Sequence, residues 1–108
     1  MRLMENRKRP VTLRPKIGGT DIPVWGVGTV IRSIIQPVSS KVLAEMYGER
    51  ITKMKLLLYD GATIITEGMG VCVELPGDQP CDYKVICTEQ WAGHQRAIIE
   101  WIPANRRA

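Results

Sequence analysis

Apolar side chains recur with period two along most of this chain, and glycine, proline and Asp-Gly pairs interrupt them at short intervals. That pattern demands strands and leaves room for little helix. Residues 27–36, rich in β-branched side chains, predict a strand that Pro37 ends by withholding a backbone donor. Residues 51–59 alternate Met54, Leu56 and Leu58 with Lys53 and Lys55, which predicts a strand burying the first set and exposing the second. Asp60-Gly61 suits the positive dihedrals of a tight hairpin, with 62–66 as its return strand. After a turn at Glu67-Gly68, Val71, Val73 and Leu75 alternate with Cys72 and Glu74 until Pro76-Gly77 breaks the run. Tyr83, Val85 and Cys87 then share one strand face; Ala97, Ile99 and Trp101 share another before Pro103. A first strand is expected at 11–17, with Pro15 marking it as an edge.

One segment breaks the rhythm. Ser39-Ser40 can cap a helix, Val42, Leu43, Met46 and Tyr47 recur at helical spacing, and Gly48 supplies a left-handed stop. A helix is therefore expected at about residues 40–47. Two turns are not stable alone, so Val42 and Met46 are expected to pack on the sheet. The whole predicts a mainly β fold, a small closed or partly open antiparallel β-barrel, because closure removes exposed strand edges. Residues 18–28 read as a long mobile loop between the first two strands. A chain of 108 residues is expected to form one domain over 1–108, with flexible basic termini at about 1–9 and 104–108. No run reaches the ~18 apolar residues of a membrane span and the first residues lack a signal peptide's apolar stretch, so no membrane contact and a reducing cytoplasm are expected.

The formal net charge of +4 is unevenly spread. Residues 1–16 carry six basic side chains against Glu5, and Arg106 and Arg107 lie near the C-terminus, whereas 17–105 hold seven basic and ten acidic side chains. Basic ends can hold nucleic-acid phosphates or lie across an acidic neighbour, and composition alone does not choose. The acid–base inventory disfavours an enzyme. His94 is the one histidine and sits beside Gly93 in a turn. A nucleophilic thiol needs an activating base or cation, and Cys87 alternates with Val85 as a small core residue would. Cys72 and Cys81 flank a turn and can lie close together, but no cysteine or histidine spacing matches a zinc site. The glycines at 26, 28, 68 and 70 read as loop and turn residues instead of a phosphate cradle, and Glu74, Asp78 and Asp82 as a solvated acidic tip. No catalytic, cofactor or metal site is expected. The alternative is a small nucleic-acid-binding β-barrel that stacks bases on exposed aromatics. For that role Trp25 and Trp91 fall in loops, whereas Tyr83 and Trp101 fall on apolar strand faces and read as core.

Residues 30–37 (V-I-R-S-I-I-Q-P), the helix-forming 39–47 with Gly48, the turn at Asp60-Gly61 and the strand opening Asp82-Tyr83-Lys84-Val85 together resemble a known pattern. It is that of head–tail connector proteins of long-tailed bacteriophages and phage-like elements, in the head-closure (stopper) and head–tail joining group. The resemblance covers about residues 28–102. It implies a small β-barrel with a helix packed on it and no catalytic residue. It also implies a ring of subunits below the capsid portal or its adaptor, facing a tail-completion protein. Such a ring helps retain packaged DNA, which passes the channel without sequence-specific binding. Assembly in the host bacterial cytoplasm and residence in the virion neck follow. Candidate partner-binding residues are Ile22, Val24 and Trp25, as an apolar anchor on the 18–28 loop. Arg7, Lys8, Arg9, Arg106 and Arg107 are candidates as basic arms laid on a neighbour's acidic body.

Overall fold

The computed structural model describes residues 7–19, 24–38, 41–74, 81–91 and 93–103, without the side chains of Leu43 and Trp91. The described strands are β1 (Arg9–Arg14), β2 (Lys16–Gly18), β3 (Val24–Trp25), β4 (Thr29–Pro37), β5 (Met54–Tyr59), β6 (Gly70–Cys72), β7 (Tyr83–Trp91) and β8 (His94–Trp101). One helix, α1 (Lys41–Tyr47), runs directly into a 3-10 segment, Gly48–Lys53, between β4 and β5. Gly48 at φ +58° makes the transition between the two, as its sequence position predicts.

Six strands close into an antiparallel barrel in the order β1-β4-β5-β8-β7-β6, while β2 and β3 form a separate two-stranded sheet. The register brings inward side chains together around the ring: Val11 opposite Ile31, Ile35 opposite Leu57, Leu57 opposite Ala97, Ile99 opposite Val85, and Tyr83 opposite Val71. With Leu13, Tyr59, Ile65 and Val73 these side chains form the core. Closure was the reason to expect a barrel, and the barrel is closed.

Several local expectations fail for identifiable reasons. The first strand is no edge, since β1 pairs with β4 on one side and β6 on the other. Pro15 lies beyond its end, where no ladder hydrogen bond is lost. The Asp60-Gly61 hairpin does not form: residues 62–66 contain no strand, and β5 pairs with β4 and β8 instead. Leu57 and Tyr59, not Leu56 and Leu58, enter the core, and Lys55 lies over the Tyr83 ring at 5.9 Å; Met54 alone of the expected set is buried. Both faces of β5 are apolar, because its outer residues Leu58 and Leu56 pair with Ile34 and Ile98 on neighbouring strands, so alternation could not decide. Cys87 does not continue the face of Tyr83 and Val85. A β-bulge between Val85 and Cys87 shifts the register by one, sets Cys87 opposite outward Ile98, and leaves it half-exposed. Residues 18–28, expected as a loop, contain β3 paired with β2.

Two buried polar side chains fasten the loops to the barrel. Gln95 on β8 accepts from the Ile65 amide at 2.9 Å and donates to the Thr63 carbonyl at 2.7 Å, pinning the segment after β5. Asp82 accepts from the amides of Val73 and Glu74, both at 2.9 Å, while its own carbonyl accepts from Ile102 N–H at 2.8 Å. Beside the main core, Trp25, Cys72, Cys81 and Ile102 form a second buried cluster that joins the β2–β3 sheet to the barrel end. Gly70 permits that contact: a Cβ there would stand 2.5 Å from Cys81 Sγ and 2.9 Å from the Trp25 ring.

Candidate functional site and interaction surfaces

The expected apolar anchor comes apart on inspection of its members. Trp25 is 7% exposed, and its strand is tied down by the Arg14 guanidinium, whose Nε donates to the Gly26 carbonyl at 2.8 Å. The Gly26 amide in turn donates to the Pro15 carbonyl at 2.7 Å. This corrects the reading of Trp25 as a partner anchor: the β2–β3 pairing folds the loop back so that the indole fills the barrel end. Val24, next to it, is exposed, as strand alternation requires. Ile22 lies outside the described residues.

The basic arm is also partly accounted for within the chain. Lys8 Nζ contacts both carboxylate oxygens of Asp60 at 2.9 and 3.1 Å with both side chains largely buried. Arg9 begins β1, and its Nη2 donates to the Val73 carbonyl at 3.0 Å. Lys8 and Arg9 are thus built into the barrel, which corrects their assignment to a flexible terminus. Arg7 is exposed, and Arg106 and Arg107 lie outside the described residues.

The chemistry-bearing residues that the sequence singled out sit in quiet surroundings. Cys72 and Cys81 do meet, Sγ to Sγ at 3.5 Å, as buried thiols with no disulfide between them. Burial pushes both thiols up, Cys81 far above the ordinary range, away from the reactive thiolate. His94 opens β8 at a tight turn with Gly93 at φ +88°. Asp82 spends both oxygens on backbone amides instead of forming a solvated tip; Asp78 lies outside the described residues. Among the described residues no group of three or more histidine, cysteine, aspartate or glutamate side chains could hold a metal. Nor is any described helix long and apolar enough to cross a membrane.

Two apolar patches stand out on the surface. The first gathers Ile17, Val24, Val27 and Val30 where the β2–β3 sheet meets the start of β4, with Val27 91% and Val30 67% exposed. The second lies on α1, where Val42 is 64% and Met46 66% exposed. This corrects the expectation that α1 packs on the sheet. The helix is held from its C-terminal end instead: Arg50 lies over the Tyr47 ring at 5.4 Å and bonds Glu100 on β8. Val42 and Met46 therefore face outward.

A groove of about 670 Å³ runs between the β2–β3 sheet, the 3-10 segment and the β7–β8 ladder. Lys16, Arg50, Lys53, Lys84, Glu67, Glu100 and Trp101 line it together with the bulge residue Ile86. Sequence reasoning placed Trp101 in the core. It is 37% exposed, although it pairs with the core residue Tyr83 across the β7–β8 ladder, and Lys53 Nζ lies 5.8 Å from its ring centroid. The groove's lysines come from segments far apart in sequence, so no local pattern announces them. No protein-family model, curated protein or solved structure matches this chain.

Proposed function

We propose that this chain is a structural subunit that joins copies of itself head to tail into a ring. On the resemblance of its sequence, that ring is a head–tail connector. The observation that carries the reading is the pair of unlike apolar patches at opposite ends of β4. Val30 stands near the start of that strand and α1 follows its end. Val38, just past the end of β4, is eight residue steps from Val30, about 26 Å at 3.3 Å per residue. The six barrel strands pair with one another in a closed ring, which disfavours strand addition to the barrel and points to the exposed side-chain patches as the contact surfaces. Unlike patches on one subunit make heterologous contacts, which close into rings when the rotation permits. In the connector role the ring seats on a portal or adaptor and receives a tail-completion protein. DNA passes through without sequence-specific binding. Assembly then belongs to a bacterial cytoplasm and the finished ring to the virion neck.

Negative-stain electron microscopy with mass photometry over a concentration series tests the assembly. Closed rings of one mass support it; an isologous dimer, open filaments or a monomer throughout contradict it. Co-sedimentation with a phage portal or adaptor protein tests the connector assignment separately.

A further inference from the structure

The groove around Trp101 has a chemistry that ring assembly does not use. Lys16 and Lys84 line it with no ion-pair partner among the described residues, and Lys53 rests over the indole. Of the two acidic lining residues, Glu100 is already bound by Arg50 through both oxygens, which leaves the cationic side chains in excess. Trp25 in the groove wall has an indole Nε1–H without an acceptor among the described residues. A β-bulge shapes the β7 wall at Ile86, as bulges do where a strand must re-aim its side chains.

We infer that this groove binds single-stranded nucleic acid, one base stacking on Trp101 and adjacent phosphates meeting Lys16, Lys53 and Lys84. An exposed indole beside lysines drawn from three separate segments is the combination that holds single strands without sequence preference, since every base has a π-face. The volume of about 670 Å³ falls among small-ligand sites of about 300–1,000 Å³, room for a nucleotide or two. An acidic peptide would satisfy the lysines but offer no planar ring to the exposed part of the indole. The inference stands apart from the ring reading, because it concerns different residues and a different measurement.

The test is fluorescence anisotropy of a labelled oligothymidylate with the full chain at two salt concentrations. Three phosphate contacts give a log–log salt slope of about −2, so affinity should fall about 20-fold from 50 to 200 mM salt. Trp101→Ala should weaken binding about 10-fold or more and Trp101→Phe should restore most of it. Lys84→Gln should flatten the slope by about 0.7. Circular dichroism confirms that each variant is folded, and Trp101→Phe keeps the test valid if the alanine variant is not. The inference is overturned by absent binding at 50 mM salt, or by Trp101→Ala binding like the parent. It is equally overturned if an Arg106→Gln/Arg107→Gln variant alone removes binding, or if a polyglutamate peptide competes on equal terms.

Discussion

Arg50 clasps Glu100 through paired hydrogen bonds, Nε to Oε2 at 2.9 Å and Nη2 to Oε1 at 2.8 Å. The clasp ties the excursion carrying α1 to strand β8, and so it fixes where the apolar helix face points. The Arg50 hydrogen bonds hold the Glu100 carboxyl below the usual carboxylate range, against a smaller opposing push from burial. The clasp should be complete above the ordinary glutamate pKa of about 4.3 and be lost as pH falls through the lowered folded value. Carbon-detected NMR titration of the glutamate carboxyls should find Glu100 below its peers. Arg50→Gln should return it toward them; a Glu100 that titrates normally in the parent chain would show that the clasp is absent in solution.

Asp82 carries a different kind of load. Replacing it with alanine strips acceptors from the buried amide of Val73 and the part-buried amide of Glu74, which should cost about 2–4 kcal/mol. Asp82→Asn keeps one acceptor and should fall between. Urea unfolding should show a lower midpoint with an unchanged slope.

Trp25 should behave as core. Trp25→Ala removes a buried indole from contact with Cys72, Cys81 and Ile102, a loss of about 3–5 kcal/mol. Gly70→Ala forces a methyl against Cys81 Sγ and the Trp25 ring and should cost about 1–3 kcal/mol. Both appear as lower melting temperatures. A Trp25→Ala protein that melts like the parent would make Trp25 a surface residue after all.

The α1 patch should show the opposite behaviour. Val42→Ser and Met46→Glu alter exposed side chains, so monomer stability should stay within about 0.5 kcal/mol. Assembly, read by mass photometry, should be lost in Met46→Glu. Intact assembly would remove α1 from the interface.

Fold class was legible because turn residues and β-branched runs mark strands whatever their partners. Facing and pairing were not. The inward face of β5 could not be read from a strand apolar on both sides, and the bulge after Val85 flips every later side chain of β7 without a local signal. The helix was readable from Gly48 and its spacing, yet its exposure depends on Arg50 reaching a glutamate fifty residues away. Lys8 looked like a free arm because Asp60, its partner, lies just past the end of β5, fifty-two residues away. The groove is tertiary in origin: Lys16, Lys53, Lys84 and Trp101 share no segment, and only barrel closure brings them together.

Crosslinking between engineered cysteines probes the head-to-tail contact most directly, in a Cys87→Ser background that removes the half-exposed native thiol. A short bis-maleimide should join Val30→Cys protein to Met46→Cys protein in a mixture and neither to itself, and the Val30→Cys/Met46→Cys double variant should yield covalent rings of a single mass. Self-linked Val30→Cys or Met46→Cys dimers, or no product where the parent chain forms oligomers, would contradict the ring.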